Sequence, residues 1–201
     1  MLDVVQIPLG AYRTNCYLVA REGASEAAVI DPGDDSGTIL DVLADRGWTP
    51  VAVLVTHGHF DHLGAVKGVA EASGIEVWMP DDEADELRTL DLGAHDPEHL
   101  LEGGETVSVA GIDFDTMRVP GHSPASIAYH AEGHLFSGDV LFAGSVGRTD
   151  FAGGDADTLV ASIGRLMDAY PAETVVLPGH GPVTSLGAER AANPFLGALR
   201  A

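Results

Sequence analysis

Apolar and polar positions alternate, or apolar residues run unbroken, at 2–7, 14–20 and 26–30, a pattern that predicts three early strands. The period then changes. Ser36 is a candidate N-cap for a helix through about Arg46, with Ile39, Leu40 and Leu43 on one face and Gly47 as the stop. Val51–Val55 reads as a buried strand, and a helix is expected to follow to about Ala72, with Leu63, Val66 and Ala70 inward and Gly74 after it. Further strands are predicted near 75–79, 106–110, 112–118, 126–130 and 134–137. A second amphipathic helix runs from about Asp157 to Ala169, its stripe made by Leu159, Ile163, Leu166 and Met167, and a strand at 173–177 follows. This mixed order implies an α/β protein with strands packed in sheets and helices outside. No linker, repeat or low-complexity tract interrupts it, so residues 1–201 read as one domain.

Metal-ligand residues gather where these predicted strands end. His57, His59, Asp61 and His62 stand in Thr56-His57-Gly58-His59-Phe60-Asp61-His62, directly after the Val51–Val55 run. His122 follows in Pro120-Gly121-His122-Ser123, Asp139 in Ser137-Gly138-Asp139, and His180 in Pro178-Gly179-His180-Gly181. Five of the nine histidines fall in these four clusters. A lone Gly-His or Gly-Asp pair is ordinarily a turn. Three imidazoles and a carboxylate within six residues are different, because a solvated loop has no need of them and a packed core would have to satisfy every polar atom. Imidazole nitrogen with carboxylate oxygen suits borderline divalent ions, and loops anchored by strand ends are where enzyme sites usually lie. The chain therefore reads as a metallohydrolase. His95, His99, His130 and His134 lack such contexts and read as surface histidines.

These motifs resemble the metallo-β-lactamase superfamily, and within it the short glyoxalase-II-like thioester hydrolases. Thr14-Asn15-Cys16-Tyr17, Asp31-Pro32-Gly33, Gly147-Arg148-Thr149-Asp150 and Glu189-Arg190-x-x-Asn193-Pro194-Phe195 are also similar to stretches in the short members, so the likeness spans nearly the whole chain. The resemblance implies an αββα sandwich. It also implies two divalent metal ions, zinc foremost with iron or manganese as alternatives. His57, His59 and His122 would hold one ion, Asp61, His62 and His180 the other, with Asp139 bridging and Asp61 also orienting the nucleophile. A water shared by ions roughly 3.5–4 Å apart becomes hydroxide near neutral pH. The implied substrate is a small acyl thioester such as S-lactoylglutathione, whose thiolate leaving group needs little protonation because thiol pKa values lie near about 8.5.

Departures from related patterns narrow the reading. The commonest zinc β-lactamases carry cysteine at the Asp139 position, and flavodiiron-type members carry glutamate where His59 stands. Lactonases share all seven ligands. A persulfide dioxygenase with one iron on His57, His122 and Asp139 is the principal alternative, since that family also shows a segment like Gly147–Phe151. A non-catalytic metal-binding protein would be expected to have lost ligands, and none is missing. Full-length glyoxalase II enzymes bind glutathione partly through a basic helical C-terminal region, for which the 21 residues after His180 leave no room. Selectivity is therefore expected to reside in the acyl portion more than in the carrier. Arg148 could meet an anionic substrate or pair internally with Asp150.

Charge disfavours polynucleotide partners, and cysteine content bounds the covalent cross-links. The net charge is -21, from 31 acidic against 10 basic residues, so a nucleic-acid backbone would meet repulsion. Cys16 is the only cysteine, which rules out an intramolecular disulfide, and its place in a predicted strand points to a buried structural thiol. Met1-Leu2-Asp3 begins no secretory signal, and apolar runs of about five residues fall far short of the ~20 that cross a bilayer, so no membrane association and a cytoplasmic location are expected.

Overall fold

Strand β2 (Thr14–Arg21) is apolar on both faces and buried over all but its last residue, which requires a layer on each side. In the computed structural model, which describes residues 1–89 and 96–199, both layers are present. Cys16, Leu18 and Ala20 face one core, while Tyr17 and Val19 face another.

Six strands form the first sheet in chain order: β1 (Leu2–Leu9), β2, β3 (Glu26–Ile30), β4 (Thr49–Leu54), β5 (Glu76–Pro80) and β6 (His99–Leu101). β1, β2 and β3 pair antiparallel, and β3 to β6 pair parallel. The second sheet takes β7 (Thr106–Val109), β8 (Ile112–Arg118), β9 (Ile127–Ala131) and β10 (His134–Gly138) as an antiparallel meander. A small hairpin of β11 (Leu141–Phe142) and β12 (Ser145–Val146) follows, then β13 (Val175–Pro178), parallel to β10, and the edge strand β14 (Thr184–Ser185).

Between the sheets lie Tyr17, Val19, Ile30, Leu54, Phe114 and Phe136 among others. Helices α1 (Ser36–Arg46) and α3 (Val66–Ser73) cover the outer face of the first sheet through Ile39, Leu43, Val66 and Val69. Helix α5 (Ala156–Ala169) covers the second through Leu159, Ile163 and Leu166, joined by Leu186 of α6 (Leu186–Ala192). This is the αββα sandwich. Truncating a fully buried Leu in one of these layers to Ala costs about 2–5 kcal/mol.

Several local expectations need correction. Asp35, not Ser36, caps α1, its carboxylate accepting from Thr38 N at 3.1 Å, and Gly47 ends the helix in the left-handed region at φ 68°. The helix expected to run unbroken to Ala72 divides into α2 (Phe60–Leu63) and α3. The cause is tertiary: Ala65 N donates to Pro32 O at 2.9 Å, and Gly64 packs so closely that a Cβ there would lie 2.3 Å from Gly33 O. The chain thus pins the His57–His62 loop to the Asp31–Gly33 turn instead of continuing the helix. Strand β6, helix α4 (Ala84–Thr89), the β11–β12 hairpin, β14 and α6 were not foreseen. His99 stacks on Trp78 at 4.1 Å and bonds Glu76. His130 is only partly exposed, because its ring stacks on Tyr170 at 4.0 Å where α5 ends. His134 is half-exposed, and His95 lies outside the described residues. Cys16 is fully buried, and burial pushes its thiol pKa well up. Among the described residues no helix is long and apolar enough to cross a membrane.

Candidate metal centre

Strand ends converge on one edge of the sandwich. β4 delivers the His57–His62 loop, the β8–β9 connection delivers His122, β10 delivers Asp139 and β13 delivers His180. All seven sequence-predicted residues meet there. Their donor atoms form three groups, each within 4.8 Å: His57, His59 and His122; His57, His62 and Asp139; and Asp61, His62 and His180. His59 Nδ1 lies 3.1 Å from His57 Nε2 and 2.9 Å from His122 Nε2. His180 Nε2 is 3.3 Å from both Asp61 Oδ2 and Asp139 Oδ2. Donors around a tetrahedral ion with bonds near 2.0–2.1 Å stand about 3.3 Å apart, so these spacings fit.

Hydrogen bonds behind these residues decide which ring nitrogen faces inward. Asp31, buried at the end of β3 and held at φ 50°, accepts from Thr56 N at 2.7 Å, Thr56 Oγ1 at 2.7 Å and His62 Nδ1 at 2.9 Å. Since Thr56 gives its hydroxyl proton to Asp31, its oxygen accepts from His57 Nδ1 at 3.0 Å. One carboxylate therefore turns Nε2 of both His57 and His62 toward the centre. His122 Nδ1 likewise donates to Arg148 O at 2.8 Å and leaves Nε2 inward. Such partners fix tautomer and ring orientation in metal sites. Thr14 Oγ1 donates to Asp61 Oδ2 at 2.8 Å.

Electrostatics divides the cluster. Burial pushes His57 well below the ordinary imidazole range, and His62 adds to the shift. Burial also lowers His59, with His122 contributing. His62 moves the other way: burial disfavours its charge, but Asp31 and Asp139 outweigh burial and hold it well above the usual range. Asp139 and Asp61 beside its Nε2 push His180 up to about 9. Burial opposes ionisation of Asp139 too, yet His62 and His180 keep it well below the carboxylate range. His62 Nε2 and Asp139 Oδ1 are 3.4 Å apart, both buried, and neither has a hydrogen-bond partner of good geometry. Orphaned polar atoms facing each other in a buried site are what a shared cation would satisfy. The donor set therefore fits divalent metal, whose binding displaces the ring protons.

Glycine is required beside the ligands. A Cβ on Gly179 would lie 2.2 Å from Asp139 Oδ1 and 2.7 Å from His62 Cε1. Asp31, Thr14 and Glu83 were not foreseen as site-building residues. Glu83 is buried and accepts from Gly58 N, Ser123 Oγ and Ala125 N, tying the His57–His62 loop to the His122 loop. Asp31 carried a sequence signal, the Asp-Pro-Gly turn after a strand. Glu83, in an acidic stretch, carried none. Arg148 forms a two-pronged pair with Asp150, both contacts at 2.7 Å, and lies 3.9 Å over the Phe151 ring, so the internal pairing is the arrangement adopted. A cleft of about 250 Å³ opens over the centre, lined by His59, Asp61, His122, Asp139 and His180 with Tyr12, Phe60, Arg148 and Phe151.

Comparison with known proteins agrees with this geometry. The profile of the metallo-beta-lactamase superfamily matches residues 9–180. A probable metallo-hydrolase, YqgX of Bacillus subtilis, is 36% identical over 95% of this chain and 96% of its own length. The hydroxyacylglutathione hydrolase GloC of Haemophilus influenzae is 31% identical over 97% and 98%. Among solved structures, the BLEG-1 B3 metallo-beta-lactamase superposes with a TM-score of 0.91 at 39% identity, covering 97% of this chain and 100% of that one. TTHA1623 in a di-iron-bound form gives 0.78 at 38%, covering 96% and 100%. ETHE1 from Myxococcus xanthus gives 0.84 at 30%, covering 97% and 85%. The chain belongs to the metallo-beta-lactamase superfamily.

Proposed function

We propose that this protein hydrolyses small acyl thioesters at a two-metal centre. His57, His59 and His122 would hold one ion, Asp61, His62 and His180 the other, and Asp139 both. Two divalent ions, when bound, supply a water of lowered pKa and an electrophile for the substrate carbonyl. The chain's own residues do the rest. Asp61, steadied by the Thr14 hydroxyl, orients the nucleophile through its carboxylate. Tyr12, Phe60 and Phe151 wall the cleft with apolar surface, which seats an acyl chain and thins the water around it.

The observation that carries the thioester reading is what lines this cleft. Among the described residues, the proposed ligands, the aromatics and the Asp150-paired Arg148 leave only the Tyr12 hydroxyl as a further proton donor. A site without a dedicated acid suits a leaving group that departs as its anion, and a thiolate does. The match to a hydroxyacylglutathione hydrolase over nearly both full lengths supports the same substrate class.

The test is reconstitution with zinc, iron or manganese, followed by elemental analysis and assay. Two ions per chain and turnover of S-lactoylglutathione are expected. Oxygen uptake with glutathione persulfide by a one-iron form, without thioester turnover, would transfer the assignment to a dioxygenase. The likeness to a B3 metallo-beta-lactamase makes β-lactam cleavage the second assay, with thioesters expected to be the better substrates.

A further inference from the structure

Beside His180 lies a second depression of about 430 Å³, which shares Tyr12 and His180 with the metal cleft. Arg13 lines it from the β1–β2 turn, where Arg13 N bonds Gly10 O at 3.3 Å and the backbone takes φ 54°. In a chain of net charge -21, two facts about this depression stand out. None of its lining residues is acidic. In addition, among the described residues and side chains Arg13 is the only Lys or Arg that pairs with no acceptor. Arg21 pairs with Glu132, Arg118 with Asp81, Arg148 with Asp150 and Arg190 with Asp168, while Lys67, Arg46 and Arg165 are engaged too. Gly181 O, of a residue lining the groove, accepts from the amides of Gln6 at 3.2 Å and Asn15 at 3.0 Å, which offsets its repulsion of an anion.

We infer that Arg13 selects the leaving group: the groove beside His180 receives the thiol carrier, and Arg13 pairs with a carboxylate on it. This rests on the thioester reading and deepens it. A guanidinium meets a carboxylate through two parallel hydrogen bonds, and among the described residues no internal partner competes. Because the groove is open to solvent, the contact adds modest selectivity, smaller than that of the acyl pocket.

The experiment compares one acyl group on two carriers, glutathione, which is acidic, and N-acetylcysteamine, which is neutral, with wild-type protein, Arg13→Asn and Arg13→Lys. Asparagine tolerates the left-handed backbone that Arg13 occupies. For the glutathione ester, R13N should raise KM about five- to tenfold with kcat within about twofold, R13K should recover part of the loss, and added salt should shrink the difference. For the neutral ester the KM change should stay below about twofold. Equal changes on both carriers, or none on either, would overturn the role of Arg13 while leaving the hydrolase standing. Wild-type protein that turns over neither ester overturns the thioester reading instead. Calorimetric titration with S-methylglutathione then decides Arg13 alone, with unchanged affinity in R13N counting against it.

Discussion

The two corners of the proposed centre are built on opposite principles. His57, His59 and His122 bring three imidazoles and no carboxylate, and burial keeps His57 and His59 low in pKa, as neutral donors. Around Asp61, His62 and His180, carboxylates hold protons on the rings, Asp31 and Asp139 on His62, Asp139 and Asp61 on His180. The first corner has one partly exposed ligand of three, the second has two. A cation therefore finds ready lone pairs in one corner, whereas in the other it must displace protons from sites closer to solvent. The difference teaches that two ions in one cluster need not be equally held.

The severest way to break the contrast is to remove the residue common to both corners. Asp139→Ala should leave a folded protein with at most one tightly held ion and a thioester rate lower by more than about a hundredfold, read by elemental analysis, circular dichroism and kcat/KM. Wild-type-like turnover would sink the bridging assignment. Next comes Asp31→Asn, which touches no ion but orients His62 directly and His57 through Thr56. Metal affinity should fall about 10- to 100-fold at both corners, whereas Thr56→Val should weaken the imidazole corner alone.

Timed chelation sharpens the comparison without mutation. One ion should leave about tenfold faster than the other, at a rate sensitive to His180→Ala and not to His59→Ala. Indistinguishable rates would mean that exposure does not order the corners. Smaller still is the effect of Glu83→Gln, which gives a buried acceptor of three donors an unwanted N–H. A cost of about 2 kcal/mol should lower Tm by roughly 4–8 °C. His134→Ala should change metal content and rate by less than about twofold, since its ring bonds only a neighbouring carbonyl at the surface.

Much of this was legible in the sequence because strands and ligands carry strong local signals. The continuous apolar run of β2 and the helical stripe of α5 announce burial on their own, and His57-x-His59-x-Asp61-His62 is too dense for an ordinary loop. The break between α2 and α3 was not legible, since it depends on Ala65 N finding Pro32 O across the fold. Nor was Glu83, whose partners lie 25 to 42 residues away in sequence. Short edge pieces such as β6 and β14 are defined by the neighbour they pair with and hardly by their own composition. Arg148 and Asp150 stood adjacent enough to suggest their pairing, whereas the isolation of Arg13 among the described residues is visible only when the other described cations have been placed.

The clasp between the first hairpin and the last loop bears on when the centre is completed as the chain is made. Asn15 N bonds Gly179 O at 2.7 Å, Asn15 Nδ2 and Tyr17 Oη both bond Pro178 O, and Thr14 bridges His180. These contacts join positions 161 to 166 residues apart. Chains emerge from the ribosome amino terminus first and fold as they emerge. The imidazole corner has all its donors once His122 is out, whereas the carboxylate corner waits for His180. If both corners of the proposed centre take metal, a growing chain would pass through a stage able to capture one cation while the hairpin still lacks its partner, and only late synthesis would close the clasp and complete the second corner.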